Sequence, residues 1–385
     1  MDKRYARILA LAASAVLSVG TLAACGSDDD DSGTTAASGG AAATSTTEGG
    51  GGSSATSGKI ALLLPENKTA RYESQDRPLF EAKVRELCPD CELIYSNAEQ
   101  DAAQQQQQAE AAITNGARVL VLDPVDGRAA AAIATRAKQS DIGVIAYDRA
   151  IEGADIDYYI SFDNARVGEL QATALTEKLR RDGRSGDIVM INGAPTDPNA
   201  ALFKRGAHSV FDASSDIRIG KEYDTPDWSP DRAQTEMEQA ITALGRDGFV
   251  GVYAANDGTA GGAIAAMRSN GIDPATRPVT GQDAELAGIQ RIVAGDQYMT
   301  IYKAIKPEAE NAAQLAVDLL GGNTESELVN QQVNNGMKDV PSVILDPVAV
   351  TAENIRDTVV RDGFWRVDQI CTSAYADACR RLGLN

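Results

Sequence analysis

Polar and aromatic residues gather where short apolar runs of this chain end, and their types restrict what they could hold. Arg71 and Tyr72 follow the run Ile60–Leu64, Asp148 and Arg149 follow Val144–Tyr147, and Asp163 and Asn164 follow Tyr158–Phe162. Pro198-Asn199, Trp228, Asn256-Asp257, Gln282-Asp283 and Lys303 stand at further such ends. Any one of them reads as a loop residue or a structural ion pair, Lys303 and Asp163 most readily. As a set they suit a neutral polyol. Carboxylates accept hydrogen bonds from neighbouring hydroxyls, and Arg, Lys and amide groups donate to the same oxygens. An aromatic face packs against the C–H face of a ring, and a cleft that closes over such a ligand strengthens its polar bonds by excluding water. A phosphate would call for a helix N-terminus with several cations. An amino acid would need one carboxylate and one Arg, fewer acids than are present here.

Other chemistries lack their residues. No Gly-x-Gly-x-x-Gly follows the first apolar run, where Pro65-Glu66-Asn67-Lys68 stands instead, and no Gly-x-x-x-x-Gly-Lys-Ser/Thr occurs. Gly258, Gly261 and Gly262 open a helix after an Asp and read as close packing. The one histidine, His208, falls within a helical pattern without a nucleophile motif and is expected at the surface or a boundary. A carboxylate pair such as Asp148 and Asp257 raises the possibility of glycoside hydrolysis. The adjoining Arg149 favours ionised carboxylates over a raised-pKa acid, so no catalytic residue is expected. With 36 basic against 55 acidic side chains and a formal charge of -19, a general nucleic-acid binder is excluded.

Five cysteines are present. Setting Cys25 aside, the simplest pairing is local, Cys88 with Cys91 and Cys371 with Cys379. The alternatives are a metal site of four thiolates, which has no histidine support, and a redox Cys-x-x-Cys. The latter belongs at a helix N-terminus, whereas Cys88 follows a helical pattern. No metal and no cofactor are expected.

The elements that must position these residues alternate. Strand-like runs at Ile60–Leu64, Glu92–Tyr95, Val119–Leu122 and Val144–Tyr147 are separated by helical patterns at Asp76–Leu87, Asp101–Thr114 and Arg128–Gln139. The five glutamines at 104–108 lie inside a helix and are expected to form an exposed face. After Tyr158–Phe162 the alternation resumes with helices at Val167–Arg181, Ala200–Phe211, Ser229–Leu244, Thr259–Arg268 and Glu285–Val293. The strands among them are Ile188–Ile191, Ile217–Tyr223, Val250–Tyr253 and Pro278–Thr280. Apolar strands between helices of this size predict parallel sheets covered on both faces, in two similar α/β lobes. Links between the lobes are expected near Asp163-Asn164, Tyr298–Lys303 and Val340–Val343.

The N-terminal segment addresses location. Lys3, Arg4 and Arg7 precede an apolar stretch from about Ile8 to Leu22, and Ala23-Ala24 lead into Cys25. The pattern resembles a bacterial lipoprotein signal (residues 1–24), with an acylated Cys25 anchoring the product to the lipid bilayer outside the cytoplasm. The stretch is short and Ala-rich for a true span. Residues 25–58 are nearly all Gly, Ser, Thr, Ala and Asp, a composition expected to form a disordered tether. Residues 1–24 carry a net +2 (Asp2 against Lys3, Arg4 and Arg7), so the remainder carries about -21.

Several segments together resemble the periplasmic monosaccharide-binding proteins of ABC importers, nearest the D-xylose-binding protein and its multiple-sugar relatives. They are Ala-Tyr-Asp-Arg at 146–149, Tyr-Ile-Ser-Phe-Asp-Asn at 159–164 and Val-Gly-Glu-Leu-Gln-Ala at 167–172. Residues 256–264, Gly281-Gln282-Asp283-Ala284, Lys338-Asp339-Val340-Pro341-Ser342 and Asp362-Gly363-Phe364 complete the set. The resemblance covers Lys59 to Trp365. It implies a type I periplasmic binding fold with a three-segment hinge, with lobe one over 59–163 and 300–341 and lobe two over 164–299 and 342–365; the tail over 366–385, with its expected local disulfide, departs from that family. The resemblance implies sugar-binding roles for Arg71, Tyr72, Asp148, Arg149, Asn199, Trp228, Asp257, Gln282, Asp283 and Lys303. At Tyr72 the family commonly has Trp, which leaves sugar preference open. The implied function is a monomer that captures a monosaccharide, D-xylose first, and delivers it to an ABC permease. A sensory sugar-binding lipoprotein is the alternative.

Overall fold

The computed structural model describes residues 57–384; the lipoprotein signal, Cys25 and nearly all of the proposed tether lie outside them. The first lobe is a seven-stranded sheet in the order β10-β11-β5-β4-β3-β1-β2, formed by β1 (Lys59–Leu64), β2 (Glu92–Asn97), β3 (Ala117–Leu122), β4 (Gly143–Tyr147), β5 (Tyr158–Phe162), β10 (Gln331–Asn334) and β11 (Asp339–Leu345). All neighbours pair in parallel except β10, which runs antiparallel to β11 at the edge. The two-residue alternation of a strand sends Ile60, Leu62 and Leu64 to one face and Ala61 and Leu63 to the other, each into its own core. Helices α1 (Arg77–Leu87) and α9 (Ile305–Leu320) cover the first face, and α2 (Ala102–Thr114) and α3 (Ala130–Lys138) the second.

The second lobe is built on β6 (Gly186–Asn192), flanked in parallel by β7 (Ile217–Asp224) and β8 (Gly251–Ala254). Residues 278–281 continue it. Val279 bridges Val252, and its carbonyl accepts from Tyr298 N, which leads into the antiparallel pair β9 (Met299–Tyr302) and β12 (Val348–Thr351). Helices α4 (Asn164–Arg181), α5 (Pro198–Phe211), α6 (Pro230–Leu244), α7 (Asp257–Ser269) and α8 (Leu286–Ala294) complete the lobe. At Gly168 and Gly206 an added Cβ would collide with the carbonyls of Phe203 and Ala165. Those glycines let α4 and α5 touch, which brings Asn164 to Asn199.

The chain crosses between lobes three times, at Asp163, at Lys303-Ala304 and at Asp346-Pro347. The last two fall later than the sequence suggests. β9 stays with the second lobe through Tyr302, beyond the boundary expected at 299/300. β11 keeps its register with β5 from Ser342↔Tyr159 to Leu345↔Phe162, beyond 341/342. Residues 305–320, to which the alternation of apolar runs assigns no element, form α9. Ala309, Ala312, Ala313 and Ala316 of this helix make a narrow stripe that packs directly on the sheet.

The glutamine run is not a uniform exposed face. Gln105 is buried, donates to Asp123 O (2.7 Å) and accepts from Val125 N (2.9 Å), fixing the loop after β3. Cys88–Cys91 closes the end of α1, and Cys371–Cys379 staples the tail helices α10 (Val367–Ile370) and α11 (Ala376–Arg381). Among the described residues no helix is long and apolar enough to cross a membrane, and no group of side chains is arranged to hold a metal ion.

Candidate functional site

The carboxyl ends of the strands of both lobes meet at an enclosed cavity with about 260 Å³ of empty volume. The first lobe contributes Arg71, Tyr72, Asp148 and Arg149. The second contributes Asn199, Trp228, Gln282 and Asp283, and Lys303 stands at a crossing. Thus nine of the ten residues singled out from sequence are brought together, with Thr69, Asp197, Phe203 and Asn256 beside them. All nine are almost fully buried. Two larger cavities, with about 1460 and 1740 Å³ of empty volume, lie elsewhere, and their charged lining side chains are exposed or half-buried.

Backbone geometry aims several of these side chains. Asp148, Trp228 and Asp283 have φ of 54°, 52° and 86°, in the left-handed region that side chains rarely occupy. At Asp148 the surroundings enforce it. The amide donates to Ile160 O (2.8 Å), and the carbonyl accepts from Ser161 Oγ (2.6 Å) and from Asn199 Nδ2 of the other lobe (3.0 Å). Trp228 lies over Gly193, where any Cβ would strike the indole. Its Nε1 donates to Asp197 Oδ2 (3.0 Å), and Phe203 meets its ring edge-on at 6.3 Å.

The charges form one connected network. Arg71 donates to Asp76 through Nε (2.9 Å) and Nη2 (2.6 Å) and to Glu308 (2.7 Å), which leaves Nη1 facing Asp148 Oδ1 at 3.5 Å. Tyr147 OH donates to the same Asp76 carboxylate. Arg149 pairs across the cleft with Asp197 (3.0 Å), lies 3.5 Å from Asp123, and donates to Tyr72 OH (3.2 Å), which in turn donates to Asp148 Oδ2 (3.2 Å). Lys303 lies 3.2 Å from Asp283 and 3.7 Å from Asp148. With Gly127 N donating to Thr196 O (3.2 Å), these contacts hold the lobes closed on one another.

Burial alone would raise the Asp148 pKa, but Arg71, Lys303 and Arg149 overcome it and bring it to about 2. Burial lowers Lys303, yet Asp148 and Asp283 more than compensate and leave it raised. Asp197 moves the other way, because burial outweighs Arg149. The cavity therefore presents an anionic Asp148 between cationic Arg71 and Lys303. Five of its polar atoms have no hydrogen-bond partner within the protein, Arg71 Nη1, Asp148 Oδ1, Arg149 Nε, Gln282 Oε1 and Asp283 Oδ1, and all but Gln282 Oε1 stand in ion pairs.

Asp257 is the exception and a correction to the sequence reading. Its side chain turns away from the cavity and accepts from Gln297 Nε2 (2.6 Å), Thr300 Oγ1 (3.0 Å) and Glu285 N (2.9 Å). As the first residue of α7 it lies about 100° around the helix from its neighbour. The N-cap Asn256 lines the cavity instead, while bonding Thr259 N (2.9 Å). The pairing of Asp148 with Asp257 considered for hydrolysis is thus absent. His208 lies on α5 against Asp212 and Glu222, and does not line the cavity.

Sequence reasoning missed the carboxylates that orient the arginines, Asp76, Asp123, Asp197 and Glu308. An acid inside an apolar helical stripe was the available signal at Glu308. At Asp123 it was an Asp ending an apolar run, and at Asp197 the N-cap of α5.

Two α/β lobes, crossed three times and closed over buried polar groups from both, define a solute-binding protein of the type I periplasmic fold. A family model described as a periplasmic binding protein domain matches residues 60–324. The D-xylose-binding periplasmic protein of Escherichia coli (strain K12) is 39% identical over 315 residues, covering 81% of this chain and 92% of that protein. The multiple sugar-binding periplasmic receptor ChvE of Rhizobium radiobacter is 30% identical over 332 residues, covering 82% and 93%. A carbohydrate transporter solute binding protein from Chloroflexus aurantiacus, solved in complex with D-glucose, superposes with a TM-score of 0.74 at 29% identity, covering 81% of this chain and 98% of that one. The chain belongs to the periplasmic binding protein family, as an extracytoplasmic solute-binding protein of ABC sugar transporters, and it is not an enzyme.

Proposed function

We propose that the chain captures one monosaccharide, D-xylose foremost, between its lobes and presents the closed form to an ABC permease in the membrane. The observation that carries this reading is the set of buried atoms without a hydrogen-bond partner in the protein, Arg71 Nη1, Asp148 Oδ1, Arg149 Nε, Gln282 Oε1 and Asp283 Oδ1, beside the rings of Trp228, Tyr72 and Phe203. Sugar hydroxyls both donate and accept, and so match donors and acceptors mixed at this density. The small size of this cavity favours a single ring over an oligosaccharide. The likeness to the D-xylose-binding protein supports testing that pentose first, and the multiple sugar-binding receptor and the glucose complex support testing hexoses too.

Both lobes supply ligands, so the sugar stabilises closure through contacts the open form cannot make. Acylation of Cys25 would keep this cycle beside the membrane, with residues 25–58 as the tether. A thermal-shift and calorimetric panel of D-xylose, D-ribose, L-arabinose, D-galactose and D-glucose tests the reading. It predicts saturable one-to-one binding of at least one member, with D-xylose in front, and a panel without a binder overturns it.

A further inference from the structure

Three segments remote in sequence converge on the turn Asp283-Ala284-Glu285. Asp283 and Ala284 are consecutive non-glycine residues with φ of 86° and 47°. Left-handed backbone is unfavourable for residues that carry a side chain, so two in succession persist only where contacts determine them. From within the lobe, Ile301 O accepts from Asp283 N (2.8 Å), Thr300 Oγ1 accepts from Ala284 N (3.2 Å), and Asp257 Oδ2 accepts from Glu285 N (2.9 Å). From the far end of the chain, Trp365 Nε1 donates to Ala284 O at 2.7 Å.

Trp365 is itself fixed against the core that the tail closes. It packs edge-on against Phe364 at 5.4 Å, and Phe364 packs edge-on against Tyr302 at 5.1 Å, next to Lys303. Gln290 Nε2 on α8 donates to Gln369 O (3.0 Å), and the stapled helices bury Ile370, Cys379 and Leu384 in the same core as Ala284 and Ile289.

We infer that Trp365 is a positioning residue for the binding site: through the Ala284 carbonyl, the disulfide-stapled tail sets the left-handed pose of Asp283 and with it the Asp283–Lys303 pair that faces the ligand. The inference rests on the sugar-binding reading above. It gives the tail a part in recognition although Trp365 does not line the cavity, and it assigns Asp257 to the same task from the opposite side of the turn.

The test is calorimetric titration of D-xylose, or the tightest binder of the panel, into four forms of the full chain: wild type, Trp365→Phe, Asp283→Asn and the double variant. Phenylalanine keeps a ring against Phe364 and removes the Nε1 donor with part of the ring surface. Loss of one buried hydrogen bond predicts affinity weaker by about five- to thirty-fold in Trp365→Phe. In the Asp283→Asn background the same change is expected to cost less than about two-fold, because the residue it positions no longer carries the interaction. Melting of the unliganded forms separates pose from stability, since a purely structural role lowers the melting temperature and leaves affinity unchanged. Unchanged affinity in Trp365→Phe, or an equal loss in both backgrounds, overturns this inference while wild-type binding preserves the functional reading. A wild type that binds no sugar overturns both.

Discussion

Asp148→Asn is the sharpest perturbation of the site. Alanine there would confound charge with backbone, because φ is 54° and the left-handed region costs Ala more than Asn or Asp. Asparagine keeps the shape, and the main-chain bonds to Ile160, Ser161 and Asn199 are unaffected. What is lost is the carboxylate whose Oδ1 faces Arg71 Nη1 at 3.5 Å and Lys303 at 3.7 Å and has no hydrogen-bond partner within the protein. In the fold its pKa lies at about 2 against 3.8 for the ordinary group. A depressed carboxylate adds stability above its unfolded pKa and loses it as pH falls toward the folded one. The substitution is therefore expected to cost about 2 kcal/mol at neutral pH, within what a domain of this size tolerates. Affinity is expected to suffer more. A hydrogen bond to a charged group contributes about 1.5–3 kcal/mol, and two from adjacent hydroxyls imply a Kd weaker by roughly 10²–10⁴-fold. Calorimetry with D-xylose, beside circular dichroism to confirm folding, measures both. A folded Asp148→Asn protein whose Kd stays within about three-fold of wild type would refute the placement of this carboxylate on the ligand.

Other perturbations separate binding from scaffold. Trp228→Ala removes the indole above Gly193 and its bond to Asp197, so sugar affinity is expected to fall at least about ten-fold, with stability lower by about 3–5 kcal/mol; titration below the melting range shows whether the ring contributes to the ligand. Burial raises Asp257 to about 7, so folded protein retains a proton there that unfolded chain releases above pH 3.8. Its contribution to stability is therefore present at acid pH and declines as pH rises from about 4 to about 7. Asp257→Asn is expected to flatten that part of a urea-denaturation pH series, and an unchanged slope contradicts the burial argument. Replacing Cys371 and Cys379 by Ser opens a loop of sequence separation 8 and is expected to cost roughly 2–3 kcal/mol, read as a lower denaturation midpoint.

Much of this architecture is legible in the chain because strands buried on both faces announce themselves as apolar runs, and open α/β sheets gather their ligands at strand ends. Asp148 and Arg149 follow directly from that rule. What it does not resolve is direction within a helix turn. Asn256 and Asp257 are adjacent, and only the cap geometry decides that the amide faces the cavity and the acid faces α8. The glutamine run shows the same limit, since one of five identical residues falls on the buried face of α2. The third crossing was misplaced because Val340–Val343 looks alike whether it bends between lobes or, as happens, carries the β5 register on to Leu345. Glu308 was missed because its partner Arg71 is 237 residues away, a contact that no local pattern encodes.

A crystal structure of the protein grown with D-xylose tests the central claim most directly. The account predicts one sugar ring between the lobes beside Trp228, with Asp148 Oδ1 and Arg71 Nη1 in hydrogen-bond reach of its hydroxyls. A ring bound elsewhere, or one in this cleft that neither group touches, would contradict it.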